Sequence, residues 1–124
     1  MKTVTIFEGE ETLISVENYK RALASMSLTE KQLQMLRAHY HAPDRRITMS
    51  ELAEQVGFSR FSAANLHYGR LGRNLCKAMQ TEPDDTYQDG SPLWLSILAE
   101  VWTNKDGESE FQMWSELAEA LEQL

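Results

Sequence analysis

TMSELAEQVGFSRFSAANLHYGRLGRNLCKAM, residues 48–79, is the stretch that decides how this chain folds. Thr48 and Glu51 stand at capping-box spacing: the hydroxyl accepts from the Glu51 backbone N–H, and the carboxylate accepts from the Thr48 backbone N–H. Ile47 and Leu52 flank that box where a hydrophobic staple fixes the entry of the chain, so a helix is predicted over 49–56. Gly57 falls where that helix must stop, because a residue without Cβ enters the left-handed region freely. Ser59 is expected to cap a second helix over 60–67. Tyr68-Gly69-Arg70-Leu71-Gly72 then reads as a compact reversal, followed by a third helix over 71–79 with Leu71, Leu75, Ala78 and Met79 on its apolar face.

Within this stretch the spacing Ala53-x3-Gly57-x5-Ala63-x2-Leu66 resembles the helix-turn-helix pattern: a small residue where two helices cross, a turn glycine, and two apolar positions on the second helix. An ordinary helical hairpin is the competing reading, since capped helices joined at glycine occur in many folds. Charge separates the two. From Ser59 to Met79 the chain carries four basic residues, Arg60, Arg70, Arg73 and Lys77, and no Asp or Glu. Arg70, Arg73 and Lys77 recur at i, i+3 and i+7, a continuous basic stripe on one helix face. A face built only for solubility would mix both signs.

That stripe sits in an acidic molecule. The 124 residues have a formal net charge of −7, distributed unevenly. Residues 1–43 hold five basic and five acidic side chains, residues 44–79 six and three, and residues 80–124 one and eleven. An acidic chain is a poor non-specific DNA binder, because phosphate neutralisation supplies most of that affinity, but a locally basic face is compatible with it. The length fits one domain with a modest core. The single cysteine, Cys76, excludes an internal disulfide and a multi-cysteine zinc cluster, and its apolar helical position predicts a buried thiol. The first residues form neither a signal peptide nor a membrane span, and no later apolar run approaches membrane length; the expectation is a cytoplasmic protein without a membrane partner.

Outward from the central stretch, Thr3 to Phe7 reads as a short strand, Glu8 to Glu11 as a polar turn and Thr12 to Ile14 as the returning strand. Ser15 caps a helix running to about Ser25 with Val16, Tyr19, Leu23 and Met26 inward. Thr29 with Gln32 makes another capping box and Leu28 with Leu33 another staple, predicting a helix over 30–41 with Leu33, Leu36 and Tyr40 buried. Ala42-Pro43 ends it. Thr81 to Pro92 is an acidic loop; Leu93 to Trp102 alternates like a strand, and Asp106-Gly107 turns it onto a second strand at 110–114. Ser115 is expected to cap a terminal helix bearing Leu117, Leu121 and Leu124. The predicted fold class is α+β, mainly helical: a helix-turn-helix, winged-helix-like core with a C-terminal β-hairpin and terminal helix. Residues 1–124 form one domain, with a helical lobe over 15–79 and a hairpin and helix over 93–124.

The segments ML-x-A-H-Y-H-A-P-x-R, from Met35, and AANL-x-YGRLG, from Ala63, resemble a helical module found beside the nuclease domain of some bacterial HNH endonucleases of the restriction type, and also as free-standing small proteins. The resemblance covers roughly residues 15–79, and the Trp-rich hairpin and last helix more loosely. It implies a winged-helix-like fold and association with DNA-directed defence systems, and it supplies no catalytic residues. No segment of the chain resembles the HNH metal site, where several ligands converge on one cation. His39 and His41 lie two apart on a helix and point in different directions, and His67 is remote, so each is read as a surface or packing residue and no metal is expected. Cys76 has no activating neighbour in sequence, and Gly69 and Gly72 lack the strand-then-helix context of a dinucleotide fingerprint, so neither catalysis nor a cofactor is expected.

The expected function is therefore that of a small non-catalytic DNA-binding protein of a bacterial or mobile-element defence or regulatory system. Ser59 would offer backbone N–H groups to a phosphate, Arg60 would contact phosphate or guanine, Ser62 and Asn65 would face base edges, and Arg70, Arg73 and Lys77 would hold the backbone. A homodimer on duplex DNA would enlarge a small contact area. The rival expectation is an acidic interaction module whose C-terminal half docks on a basic protein and inhibits a nucleic-acid-binding enzyme, with Trp94 and Trp102 serving that interface if exposed, the competing reading for both being burial in the core.

Overall fold

A computed structural model describes residues 3–6, 10–83, 86–87 and 89–124. The chain is α+β and mainly helical. Strands β1 (Thr3–Ile6) and β2 (Glu10–Leu13) form an antiparallel hairpin, with Thr3 opposite Leu13 and Ile6 opposite Glu10. The return strand thus starts two residues before the predicted Thr12. The predicted turn residues Glu8 and Gly9 lie outside the described residues. Helix α1 (Val16–Ser25) begins at the predicted Ser15, whose side chain accepts from the Asn18 backbone N–H. Helix α2 (Glu30–His41) carries the full Thr29–Gln32 capping box.

The chain does not pass straight from α2 into the next helix. A 3-10 turn at Pro43–Arg45 bends it, with Asp44 and Arg45 both at φ 56, and a three-residue strand β3 (Arg46–Thr48) follows that periodicity could not reveal. Helix α3 (Met49–Val56) starts at the Thr48–Glu51 capping box and ends at Gly57, whose φ of 86 is left-handed as expected. The N–H groups of Gly57 and Phe58 both reach the Ala53 carbonyl, closing the turn.

From there two expectations are corrected together. Ser59 is not a cap: Arg60 is the last extended residue, and it caps nothing with its side chain. Phe58 is half-buried and stacked on His67, and the helix begins at Phe61, one residue later than predicted. The reversal at Tyr68–Gly72 is also absent. Residues 61–79 form one 19-residue helix, α4 (Phe61–Met79). A helical glycine costs about 1 kcal/mol against alanine. Continuity buries Tyr68, Leu71 and Leu75 completely, and each such side chain contributes about 1.5–3 kcal/mol. Burial wins. Gly72 is moreover required inside the helix, because a Cβ there would collide with the Trp94 carbonyl group, whereas a Cβ on Gly69 would meet nothing within 4 Å.

The element pressing on Gly72 is another correction. Leu93 to Trp102 is not one strand but a 3-10 turn at Trp94–Ile97 followed by strand β4 (Ala99–Thr103). Leu95 to Ala99 are all buried, so the alternation in sequence reports no exposed face. Side chains satisfy the turn's backbone: the Tyr19 hydroxyl donates to the Ile97 carbonyl at 2.8 Å, and the Trp114 indole N–H donates to the Ser96 carbonyl at 2.8 Å. Strand β5 (Ser109–Met113) pairs antiparallel with both β4 and β3, giving the sheet order β3-β5-β4. Helix α5 (Ser115–Glu122) closes the chain, but Trp114 rather than Ser115 occupies its cap position, and Leu124 is exposed instead of continuing a buried stripe.

One cluster of buried side chains draws on both the 15–79 and 93–124 segments, including Leu36, Leu52, Tyr68 and Leu75 from the first and Ile97, Leu98, Phe111 and Leu117 from the second. Cys76 is buried as its position predicts. Among the described residues no helix is long and apolar enough to cross a membrane.

Candidate nucleic-acid interface

Helix α4 is the longest element, and its two sides differ. Ala64, Tyr68, Leu71, Gly72, Leu75 and Cys76 face the core. At 3.6 residues per turn the opposite side is formed by Ser62, Leu66, Arg70, Arg73 and Lys77, all of them exposed. The predicted basic stripe therefore lies outward along a single rigid helix rather than across a reversal. The described ion pairs use Arg45 with Glu122 at 3.5 Å and Arg46 with Glu110 at 3.9 Å, not the cations of α4. Arg73 alone has a second contact, its guanidinium lying over the Trp94 ring at 5.9 Å.

The other expected site residues divide into two groups. Ser59, Arg60 and Ser62 border a cleft between α3 and the start of α4, beside Ser50, Glu54 and Phe58. Ser59 contributes there as an exposed loop residue without the capping role predicted for it. Asn65 separates from them. It is half-buried and turns toward a groove of about 560 Å³ between α4 and the β4–β5 hairpin, with Phe61, Tyr87, Val101, Glu108 and Phe111 around it. Asn65 and Ser62 thus do not share one outward face as a simple one-turn spacing implied.

The hairpin tip beside that groove is a built turn. The Asn104 side-chain oxygen accepts from the backbone N–H groups of Asp106 and Glu108, both at 2.9 Å, and Gly107 takes φ 80. Lys105, Asp106 and Glu108 are exposed there. Of the tryptophans expected at an interface, Trp94 is half-buried; Trp102 is 44% exposed and lies under the Arg46 guanidinium at 4.9 Å.

His39 was read from sequence as a surface or packing residue, and it has a more specific place. It is fully buried, with Nε2 at 2.7 Å from the Phe111 carbonyl oxygen and Nδ1 at 2.7 Å from the Tyr68 hydroxyl. A carbonyl only accepts, so Nε2 carries the proton and Nδ1 accepts from the Tyr68 O–H. Burial lowers the His39 pKa to about 4, against a smaller opposing effect of the hydrogen bond to the Phe111 carbonyl. Burial also pushes the Tyr68 hydroxyl well above its ordinary value. This neutral pair ties α2, α4 and β5 together. Met35 and His39, not Leu33 and Tyr40, accompany Leu36 on the buried side of α2, because the polar His39 ring finds two partners inside. A 3.6-residue count of apolar letters skips a histidine.

Among the described residues no three His, Cys, Asp or Glu side chains are grouped to hold a metal ion. Compared with known proteins, the chain matches no protein-family model, no curated protein and no solved structure.

Proposed function

We propose that this protein binds duplex DNA without catalysing a reaction on it, with α4 as the helix that enters the major groove. One observation carries this reading: the outward face of α4 presents Arg70, Arg73 and Lys77 in a row with no acidic residue on the helix, in a chain of net charge −7. The order of elements supports it. A helix, a strand, two helices at a glycine turn and a hairpin whose second strand pairs with the first strand is the order of a winged helix, with α3 and α4 as its helix-turn-helix. Arg70, Arg73 and Lys77 hold phosphates and set the register, while Arg60 and Ser62 stand at the end of α4 that approaches base edges. The hairpin departs from a phosphate-tracking wing, since Asp106 and Glu108 at its tip would be repelled by a DNA backbone. The resemblance to modules of HNH endonucleases makes a DNA-directed defence or regulatory system the proposed setting.

A second reading rests on the opposite charge. Glu119 and Glu122 on α5 and Asp106 and Glu108 on the hairpin are exposed, and such an acidic side would dock on a basic protein. Fluorescence anisotropy with random-sequence duplexes across a salt series distinguishes them. Four cations on or beside α4 predict a log–log salt slope of about −3 to −4 for a monomer, at about −0.9 per phosphate. No binding at low salt overturns the DNA reading in favour of the acidic module.

A further inference from the structure

The groove beside Asn65 is not used by the phosphate-binding stripe, and its chemistry is different. Its volume of about 560 Å³ lies within the range of small-molecule sites, about 300–1,000 Å³. Val101 and Phe111 belong to its apolar lining, and so do two of the exposed large hydrophobic residues among the described residues, Phe61 at 61% and Tyr87 at 49%. Exposed aromatic rings are costly to leave in water and offer flat faces for stacking. Among the polar groups, which include the Ser50 and Ser109 hydroxyls, two are directional. Asn65 brings an amide that makes no hydrogen bond to another described side chain, and Glu108 brings a carboxylate that only accepts.

Flat aromatic surfaces, an amide able to donate and accept, and an acceptor-only carboxylate match a planar heterocycle with an exocyclic amino group. Phe61 is the first residue of α4 and stands beside Arg60 and Ser62, so DNA whose base edges meet that end of the helix passes the mouth of the groove. We infer that this groove receives one unstacked nucleobase with an exocyclic amino group, adenine, cytosine or guanine, stacked on Phe61 or Tyr87 with its amino group donating to Glu108 and its ring edge bonded by Asn65. This rests on the DNA-binding reading above and adds to it what the acidic hairpin is for: Glu108 would repel a phosphate but accepts from the amino group of such a base. Thymine is disfavoured, because it has no exocyclic amino group to donate to the carboxylate.

Anisotropy at one low salt concentration, with duplexes that are fully matched or carry a single bulged adenine, cytosine or thymine, tests the assignment. A bulged base has already lost most of its stacking, so the bulged adenine and cytosine duplexes should bind about tenfold more tightly than both the matched and the bulged-thymine duplexes. Phe61→Ala, which removes no charge, should erase that preference while leaving the salt slope on matched DNA at its wild-type value, and Glu108→Ala should erase it without weakening the binding of matched DNA, because it removes a repelling charge. Equal affinity for all four duplexes with a wild-type slope of −3 to −4 overturns the base-binding groove and leaves the DNA reading intact. No binding to any duplex overturns both.

Discussion

The two sides of α4 differ in what they contact, although they alternate along the same 19 residues. The inner side is committed to the fold: Tyr68 bonds His39, Leu71 and Leu75 are fully buried, and Gly72 leaves room for the Trp94 carbonyl. The outer side, with Arg70 and Lys77, makes no described ion pair. Of the eighteen letters that carry the resemblance to the HNH-associated module, eight are buried and four are exposed. His39 of the H-Y-H-A-P segment and Tyr68 of the YGRLG segment are the two members of one buried hydrogen bond. That pair locks α2, α4 and β5 of this chain together, so function has to be argued from the outer face.

The sharpest way to break this division is at the paired glycines of α4. Gly72→Val should destabilise by about 3–5 kcal/mol, since its side chain meets backbone that cannot swing aside. Gly69→Ala should instead be neutral or stabilise by up to about 1 kcal/mol, because its Cβ projects into open space and helix propensity improves. Urea midpoints of the two variants test this, and equal losses would mean that the helix packs differently around both.

Acid should act on the inner side next. With a folded-state pKa of about 4 against an unfolded value of 6.5, His39 takes up its proton more readily in the unfolded chain. Its neutral form contributes fully above pH 6.5. That contribution is lost as pH falls from 6.5 through 4, by about 3 kcal/mol in total. His39→Gln should lose stability at neutral pH and show a shallower decline over the same window, read from denaturant midpoints at pH 7 and 4.5. A decline identical to wild type would assign the acid sensitivity to other groups.

Local chemistry was legible in the sequence at most short-range signals, with the Ser59 and Ser115 caps as the exceptions. The Thr29 and Thr48 capping boxes, the Ser15 cap and the Gly57 turn stand where spacing predicts them, because each depends on atoms within four residues. Features that depend on a distant partner were not. Nothing near Gly72 in the chain announces the Trp94 turn that makes a glycine there a packing residue rather than a breaker, and nothing near His39 announces the Phe111 carbonyl. The same limit governs the candidate interface. The basic stripe follows from helical spacing, whereas the groove that separates Asn65 from Ser62 exists only once the hairpin folds back against α4.

Removing charge from the outer face alone tests the separation of tasks most directly. Arg70→Gln with Lys77→Gln should leave the thermal midpoint near its wild-type value, since exposed substitutions away from contacts stay within about 0.5 kcal/mol. On matched duplex the same variant should flatten the log–log salt slope by about two units. An unchanged slope, or a loss of binding that tracks a loss of stability, would contradict a helix whose inner side holds the fold and whose outer side holds DNA.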